Sequence, residues 1–287
     1  MPELPEVEIV KQSLEKTVKL KKIKQVLVKN KNLRFKIEKN FIKNLKNEKI
    51  IKIQRKSKYL ILNLTNSKYL IIHFGMSGTL HLIKNKNKNV KTNLSFYNQQ
   101  RLPKKHNHVE FVFDNLKLIY NDPRRFGFIL VLTSERTFLD FFKKLGPEPL
   151  DIEFDYKYLK KIFLFRKKNI KNVLLDQTIV SGLGNIYVNE ILNFSKINPN
   201  KEAFKLKLSE IKSIIKYSKT VIKKAILKGG SSIRDFKNSK GKKGTYQDEF
   251  RVYDRNKKIC LNKYCNGIIE RIFITNRSTF FCKKCQK

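Results

Sequence analysis

Four cysteines near the end of this 287-residue chain have a spacing typical of a metal site. Four residues separate Cys260 from Cys265, sixteen follow, and two separate Cys282 from Cys285. Tetrahedral Zn²⁺ takes two thiolates from each of two tight turns, and the segment between the turns can form a hairpin. A module this short has too little core of its own, so the metal would supply its folding energy. We therefore expect one structural Zn²⁺ on these thiolates, in preference to four free cysteines.

The first six residues form the second group that could do chemistry. Removal of Met1 would expose the secondary amine of Pro2, and an α-amino group has a pKa near ~8. Such an amine is a nucleophile toward the C1′ carbon of a sugar. Glu3 and Glu6 would lie beside it as acid/base groups. On local sequence alone, a proline helix start with acids in the first turn is the simpler explanation, so the reactive interpretation needs other support.

The chain is strongly basic, with 64 Lys and Arg against 24 Asp and Glu and a net charge of +40. Its 40% hydrophobic and 11% aromatic residues exclude a disordered basic tail. The charge points to a polyanionic partner such as nucleic acid. Lys, Asn and Ile share AT-rich codons, so a biased genome explains part of the lysine excess. The twelve arginines run against that bias, which makes Arg124, Arg125 and Arg277 the stronger candidates for ligand contact.

The elements that must position these residues change character along the chain. Glu6–Leu20 has helical apolar spacing, whereas the residues from about 23 to 132 form short apolar runs with polar breaks. Such runs predict an antiparallel sandwich or barrel, and the polar stretch Lys84–Lys105 predicts a long loop. The predicted strands are Ile23–Val28, Ile50–Gln54, Tyr59–Leu64, Tyr69–His73, His108–Phe113, Leu116–Tyr120 and Phe126–Leu132.

Two prolines in Leu145–Leu150 indicate a linker, after which the periodicity becomes helical. The predicted helices are Tyr156–Phe165, Ile170–Thr178, Gly184–Phe194 and Leu206–Leu227. A Gly/Lys loop follows at Lys237–Gly244. We expect an N-terminal domain at 1–135, a linker at 136–150, a helical domain at 151–249 and a zinc module at 250–287. No apolar run reaches the ~18 residues of a membrane helix, and no secretory signal is visible, so we expect a cytoplasmic protein.

Several separated motifs occur in the order known from one family. They are residues 1–8, Lys56–Leu60, His73–Gly78, Asp122–Gly127, Asp176–Gln177, Gly182–Tyr187, and the cysteine module with Asn276–Thr279 just before its last pair. Together they resemble the formamidopyrimidine-DNA glycosylases, bacterial repair enzymes for oxidised purines. The resemblance covers nearly the whole chain. It implies an α+β multidomain protein: an antiparallel β-sandwich with an N-terminal helix, a helix–two-turn–helix domain and a zinc-finger β-hairpin.

The resemblance also implies a partner and a mechanism. The partner is double-stranded DNA with oxidised bases or abasic sites, bound by a monomer in the bacterial cytoplasm, at the nucleoid. Pro2 would attack C1′ as the base departs, and the resulting Schiff base would undergo β- and δ-elimination. The implied catalytic residues are Pro2, Glu3, Lys58 and Arg277, with Glu6 and Lys171 in support. The implied DNA contacts are His73, Met76, Arg124, Phe126 and Asn185.

The gap-filling residues have a physical reason. Chemistry at C1′ requires the nucleotide to leave the base stack, and wedge-like side chains suit the space that it leaves. Met76, Arg124 and Phe126 match the family's fillers: a thioether, a forked donor for the orphaned cytosine and an aromatic plate. Gly75 and Gly78 bracket Met76 in a turn, where core methionines are uncommon.

Three differences from the family and two alternatives bear on this interpretation. The family usually has two residues between the first two cysteines, where this chain has four, and a Pro at the position of Asn172. Lys237–Tyr246 matches a loop whose sequence varies within the family. The nearest alternative is endonuclease VIII, the sister enzyme for oxidised pyrimidines. It usually has Gly at the position of Leu4, so Leu4, Met76 and Arg124–Phe126 favour the purine enzyme. The other alternative, a non-catalytic zinc-ribbon DNA-binding protein, would not need Pro2, Glu3 and Lys58 together.

Overall fold

The computed structural model describes residues 2–84, 91–92, 104–231 and 244–287. The chain forms two compact units. The N-terminal unit comprises Met1–Lys143 and Lys228–Gln247, and the C-terminal unit comprises Lys144–Leu227 and Asp248–Lys287. The two loops predicted at Lys84–Lys105 and Lys237–Tyr246 lie largely outside the described residues. Within the described ranges, no helix has the length and apolar character needed to cross a membrane.

The N-terminal unit opens with helix α1, Leu4–Glu15. It begins two residues before the predicted Glu6 and ends before the predicted Leu20. The early start follows from Pro5, whose fixed φ suits the first turn. The end follows from Thr17, whose hydroxyl donates to the carbonyl of Ser13 at 2.9 Å, and from Leu20, which has a positive φ of 64°.

Two antiparallel sheets make up most of the N-terminal unit. Their strands are β1 Gln25–Val28, β2 Ile50–Lys56, β3 Tyr59–Leu64, β4 Tyr69–His73, β5 Thr79–Lys84, β6 Lys91–Thr92, β7 Asn107–Val112, β8 Leu116–Asn121 and β9 Phe128–Leu132. One sheet has the strand order β1-β7-β8-β5-β6 and the other β2-β3-β4-β9, and every neighbouring pair is antiparallel. This confirms the predicted fold class.

Four elements of this unit were not predicted from sequence: the strands β5 and β6, and the helices α2, Phe41–Leu45, and α3, Glu135–Phe142. Helix α3 is capped by Ser134, whose hydroxyl accepts the N–H of Thr137 at 3.3 Å. Its Phe138 ring stacks on Tyr69 with centroids 4.3 Å apart. Tertiary contacts of this kind stabilise a helix that is only eight residues long.

The C-terminal unit contains four α-helices and one hairpin within its described residues. They are α4 Tyr156–Phe163, α5 Ile170–Leu175, α6 Asn185–Phe194, α7 Leu208–Leu227, and the pair β10 Ile269–Ile274 and β11 Arg277–Cys282. Helix α6 is the centre of this unit, because Ile186 through Asn193 are all buried. The Glu190 carboxylate on α6 accepts the backbone N–H groups of Arg251, Val252 and Tyr253 at 2.8–3.0 Å, which holds the chain that leads into the hairpin.

Candidate active site

The acids at the start of α1 are buried and fixed. Glu3 is 1% exposed and Glu6 is 3% exposed, and Pro2 is buried beside them. One oxygen of the Glu6 carboxylate accepts the backbone N–H of Glu3 at 2.9 Å. The other accepts the N–H and hydroxyl of Ser231, at 2.8 and 3.0 Å. Glu6 therefore fixes the backbone at Glu3, and with it the position of Pro2.

Gly230 lets the chain approach Glu6 closely. It has a φ of +82°, and an added Cβ would lie 3.1 Å from the Glu6 carboxylate oxygen. A side chain here would strain the backbone and crowd the carboxylate. The sequence indicated Glu6 as a supporting residue, but its partner Ser231 comes from a segment 225 residues away and carried no signal of its own.

Lys58 lies in the tight turn between β2 and β3. Lys56 pairs with Tyr59, which leaves Ser57 and Lys58 as the two turn residues, and Ser57 has a positive φ of 55°. Arg55 ties this turn to α1: its Nε donates to Glu8 at 3.0 Å and its Nη1 to the carbonyl of Ser57 at 3.0 Å. The side chain of Lys58 is 9% exposed. Sequence reasoning missed Arg55 and Glu8, although Glu8 ends the first motif.

His73 ends β4 in the neutral form. Burial, followed by the charges of Lys58 and Arg34, lowers the pKa of His73 to about 4. The N–H of Gly75 donates to Nδ1 of His73 at 3.2 Å, so the ring proton is assigned to Nε2. The ring also stacks on Phe128 with centroids 5.2 Å apart. His73 can thus donate one hydrogen bond at neutral pH without carrying a charge.

The loops that carry Met76 and Phe126 touch through their backbones. Gly75 has a φ of +58°, and an added Cβ would lie 2.3 Å from the carbonyl carbon of Phe126. Only glycine fits at this contact. Met76 is 43% exposed and Phe126 is 44% exposed, although both are large apolar side chains. The guanidinium of Arg124 lies 4.5 Å from the centre of the Phe126 ring.

A buried carboxylate, Asp122, holds these two loops together. One oxygen accepts the hydroxyl of Ser77, and the other accepts the N–H of Gly127 at 2.9 Å and the hydroxyl of Tyr120 at 3.2 Å. Ser77 in turn accepts the N–H of Arg124 at 3.2 Å. Burial, followed by the neighbouring carboxylate, raises the pKa of Tyr120 well above its ordinary value. Asp122 is the first residue of the motif Asp122–Gly127, but the sequence alone indicates no role for its carboxylate.

These loops line a groove of about 800 Å³, which we name the Met76 groove. Its lining combines three arginines with exposed apolar side chains and contains no carboxylate: Asn32, Leu33, Arg34, His73, Gly75, Met76, Arg124, Arg125 and Phe126. Such a lining suits an anionic ligand with flat apolar faces. The structure therefore brings four predicted residues, His73, Met76, Arg124 and Phe126, to one surface. Arg34 joins them without a sequence signal.

In the C-terminal unit, two predicted residues converge on the hairpin. Asn185 begins α6, and its Nδ2 donates to the carbonyl of Ser278 at 2.9 Å. Lys171 on α5 is fully buried, and its Nζ donates to the same carbonyl at 3.1 Å and to the Thr279 hydroxyl at 2.7 Å. Both side chains thus anchor the residues that directly follow Arg277.

Arg277 itself is exposed at the start of β11, after a turn in which Thr275 and Asn276 both have positive φ. The Nδ2 of Asn172 donates to the hydroxyl of Thr275 at 2.8 Å. The N–H of Asn172 also donates to the Oδ1 of Asn169 at 2.9 Å. The family's usual proline would make neither bond. This departure therefore adds a tie between α5 and the turn that presents Arg277.

The four cysteine sulfurs all lie within 4.8 Å of one another, and two of the S–S separations are 3.7 Å. A tetrahedral Zn²⁺ with Zn–S bonds of about 2.3 Å needs sulfurs about 3.8 Å apart. The thiolates of Cys260, Cys265, Cys282 and Cys285 fit that geometry and form a site that could bind a metal ion. The four-residue knuckle places Asn262 inside the site, where its Nδ2 donates to Cys285 Sγ at 3.1 Å.

The chain is similar to known proteins over most of its length. Residues 1–129 match the formamidopyrimidine-DNA glycosylase N-terminal domain, and residues 145–237 match the H2TH domain of the same enzymes. A formamidopyrimidine-DNA glycosylase from Wolbachia pipientis subsp. Culex pipiens (strain wPip) is 42% identical over the full length of both chains.

Two solved structures of the Lactococcus lactis enzyme superpose on the whole chain. A point mutant of that enzyme in complex with Fapy-dG DNA has a TM-score of 0.86 at 34% identity, with all of both chains covered. The wild-type enzyme with oxidised-pyrimidine DNA has a TM-score of 0.85 at 34% identity, again with full coverage of both. On these matches, the chain belongs to the formamidopyrimidine-DNA glycosylase family.

Proposed function

We propose that this protein is a bifunctional DNA glycosylase and abasic-site lyase that excises oxidised purines, including 8-oxoguanine and formamidopyrimidines, from duplex DNA. The observation that carries the proposal is the buried acid pair at the start of α1. Glu6 fixes the backbone of Glu3, so Pro2 and an acidic group are held at one place in a chain of this family. A plain helix start does not require two acids that are almost completely buried.

The proposed chemistry begins after Met1 has been removed. The Pro2 nitrogen bonds to C1′ while the bond between C1′ and the base breaks, and the base leaves with the electron pair. The nitrogen then loses its proton, and the C1′–O4′ bond breaks as O4′ takes up a proton, which opens the sugar ring and gives the iminium adduct. This adduct loses the 3′ and 5′ phosphates in successive β- and δ-eliminations. Glu3 handles the proton transfers, and its carboxylate favours the cationic adduct. Water finally releases the enzyme from the sugar fragment.

Three residues are proposed to hold the phosphates around the lesion, and Lys58 is proposed as a catalytic-site lysine. Arg277 holds a phosphate as a cation, and His73 does so as a neutral Nε2 donor. Asn185 begins a helix after Gly184, at a helix end that favours anions. Lys171 and Glu6 act as positioning residues, because each touches the backbone next to a proposed contact.

Met76, Arg124 and Phe126 are proposed to fill the space left by the everted nucleotide. Their large exposed side chains stand on loops that are locked together by Gly75 and Asp122. Inserted wedges keep a kinked duplex open. The forked guanidinium of Arg124 offers donors to the unpaired cytosine, and its packing on Phe126 limits its freedom before binding.

The cysteine site is proposed to hold one structural Zn²⁺, which fixes the hairpin and takes no part in the reaction. The division into domains at 1–135, 151–249 and 250–287, joined by the linker 136–150, is proposed with it. Because one chain supplies every proposed site residue, a monomer suffices. Its substrate places its work at the bacterial nucleoid in the cytoplasm.

Borohydride trapping tests this proposal. The protein is incubated with duplexes that contain 8-oxoguanine opposite C, thymine glycol, or no damage, and the iminium is reduced to a stable adduct. We expect an adduct with 8-oxoguanine and none with undamaged DNA, and a protein mass lower by one methionine. No adduct with either lesion would leave only the zinc-ribbon DNA-binding alternative. An adduct with thymine glycol alone would favour the endonuclease VIII alternative.

A further inference from the structure

The knuckle between Cys260 and Cys265 brings a side-chain amide into the cysteine site. Asn262 is 7% exposed, and its Nδ2 lies 3.1 Å from Sγ of Cys285, which belongs to the second cysteine pair. The backbone N–H of Asn262 also donates to Sγ of Cys260 at 3.5 Å. One residue of the knuckle thus contacts a sulfur from each pair. The proposed function assigns no role to these contacts.

The backbone N–H that could serve Cys285 in the same way is used elsewhere. For Cys260, the donor is the N–H two residues later in the chain. Two residues after Cys285 comes Lys287, whose N–H donates to the carbonyl of Lys196 at 3.3 Å. The side chain of Asn262 therefore supplies to Cys285 the kind of N–H···S contact that the backbone supplies to Cys260.

The orientation of the Asn262 amide follows from a series of hydrogen bonds that begins at the backbone. The N–H of Cys282 donates to Oε1 of Gln286 at 2.9 Å, which identifies that atom as the amide oxygen. Nδ2 of Asn193 donates to the same Oε1 at 2.9 Å, so Oδ1 of Asn193 is free to accept. Nδ2 of Asn262 lies 3.4 Å from that Oδ1. The group that faces Cys285 is therefore the NH₂ and not the carbonyl.

These three amides, which we name the amide network, are buried and attached to α6. Asn193 lies on that helix and is 0% exposed, and Gln286 is 1% exposed. Nε2 of Gln286 donates to the carbonyl of Ile197 at 2.9 Å, which fixes the far end of the network. Because its partners are fixed, the amide of Asn262 loses little conformational freedom in facing the sulfur.

The charge of the cysteine site gives this donor a purpose. Four thiolates carry more negative charge than one Zn²⁺ neutralises, and two of the cysteines, Cys260 and Cys282, are buried. Hydrogen bonds to a charged acceptor are roughly twice as strong as those between neutral groups. If the amide served only to satisfy Asn193, its closest contact would be an oxygen. The sulfur of Cys285 is the closer atom although it is also the larger one.

We propose that Asn262 is a hydrogen-bond donor to the Cys285 thiolate of the zinc site, and that this bond slows the loss of the metal. The inference rests on the proposed function, because it takes Zn²⁺ as the occupant of the cysteine site. The hydrogen bond draws charge from the sulfur lone pairs and favours the deprotonated, metal-binding form. The four-residue knuckle of this chain thus contributes a residue that stabilises the metal site.

The test compares Asn262→Leu with Asn266→Leu in the full-length, zinc-loaded protein. Leucine has nearly the size of asparagine but no donor, and Asn266 is an exposed residue of the same module. Transfer of zinc to EDTA should be about tenfold or more faster in Asn262→Leu. The control should release zinc at the wild-type rate. DNA affinity of both zinc-loaded variants should remain that of the wild type.

Replacement of zinc by Co²⁺ separates this role from a merely structural one. The sulfur-to-cobalt charge-transfer absorption of Asn262→Leu should lie at lower energy than that of the wild type, because the sulfur lone pair has lost a stabilising donor. Asn266→Leu should keep the wild-type absorption. An unchanged absorption together with an unchanged rate of zinc release in Asn262→Leu would overturn the proposal.

The wild type provides a test that does not depend on the folding of a variant. In protein loaded with ¹¹³Cd²⁺, NMR detects scalar coupling from the metal through a sulfur to a hydrogen-bonded proton. We expect such a coupling to a side-chain amide proton of Asn262, and its absence would refute the hydrogen bond. A wild-type chain that bound neither zinc nor cadmium would defeat the proposed metal site itself. A loaded wild type that behaved like Asn262→Leu would defeat only the role of Asn262.

Discussion

The two units use different polar groups to position their candidate site residues. In the N-terminal unit, the residues that organise the candidate site are buried carboxylates: Glu3 and Glu6 at α1, and Asp122 beneath the loops of Met76 and Phe126. In the C-terminal unit, a buried carboxylate, Glu190, holds the chain that leads into the hairpin. The groups next to Arg277 are donors, because Lys171 and Asn185 both bond to the carbonyl of Ser278. Acids can move protons and stabilise a cation, whereas donors leave an exposed arginine ready for an anion. The comparison assigns proton transfer to the first unit and phosphate binding to the second.

The sharpest challenge to this division is Glu3→Gln. The amide keeps the shape of the side chain but cannot exchange protons, so we expect base excision to fall by about 10²–10⁴-fold with DNA affinity unchanged. Single-turnover excision and anisotropy measure the two separately. Glu15→Gln is the control, since Glu15 lies on the same helix in a partly exposed ion pair with Lys11. Unchanged excision by Glu3→Gln would remove its assigned role.

The corresponding test in the C-terminal unit is Cys282→Ala, which disrupts the cysteine site. A lost thiolate opens the metal site, and the hairpin that carries Arg277 loses its support. We expect the bound zinc to be lost, and DNA affinity to fall about 100-fold or more at moderate salt. Elemental analysis and anisotropy check this pair of outcomes. Asn266→Ala, an exposed change in the same module, should keep both, and a Cys282 variant that retained DNA affinity would contradict the hairpin's role.

Asp122→Asn tests whether the two loops that carry Met76 and Phe126 need a carboxylate between them, at a position to which no proton transfer is assigned. The new NH₂ group would face the N–H of Gly127 or the hydroxyl donors, and at least one buried bond would be lost. We expect the free energy of unfolding to fall by about 2–4 kcal/mol. Denaturant unfolding measures it, with exposed Asp114→Asn as the control. A loss below that of the control would show that the two loops do not depend on Asp122.

His73 makes the stability of the N-terminal unit depend on pH. Its folded pKa of about 4 lies below the ordinary 6.5, so the unfolded chain binds the extra proton first. The stability that comes from neutral His73 is complete above pH 6.5 and is lost as the pH falls toward 4. Between pH 6.5 and pH 4, the free energy of unfolding of the His73→Gln variant should therefore fall by less than that of the wild type, with a difference on the order of 2 kcal/mol. Burial lowers the pKa of His81 to about 3, so its contribution is lost over an overlapping range that extends to pH 3, and His81→Gln shows how much of the pH effect is general.

Asn172→Pro should have the smallest effect. It replaces this chain's residue with the family's usual one, and proline is tolerated in a first helical turn. The bonds to Thr275 and Asn169 would be lost, at a cost of about 1 kcal/mol because the first of them is exposed. Thermal unfolding and the affinity for DNA measure it. An affinity loss as large as that of Arg277→Ala would show that the turn depends on Asn172 far more than the geometry suggests.

Most of the helices and strands, and the candidate residues themselves, can be predicted from the sequence, because period-two patterns, helical patterns and short motifs are local signals. Tyr59–Leu64 and Tyr69–His73 match the observed strands. The predicted strand Phe126–Leu132 begins two residues too early, because an exposed apolar side chain in a loop cannot be distinguished from a core residue by its type, and the observed strand begins at Phe128. What the sequence could not provide were partners from distant segments. Ser231 for Glu6, Glu8 for Arg55 and Ser278 for Lys171 are known only once the chain has folded.

The bond between Glu6 and Ser231 has a consequence for biosynthesis. The chain leaves the N-terminal unit at Lys143 and returns to it only at Lys228. Ser231 follows Glu6 by 225 residues, so at about 5–20 residues per second the ribosome needs about 11–45 s to deliver it. Until then Glu6 lacks the contact with Ser231 that fixes its carboxylate. On the proposed function, we therefore expect full strand-cutting activity only when translation is nearly complete.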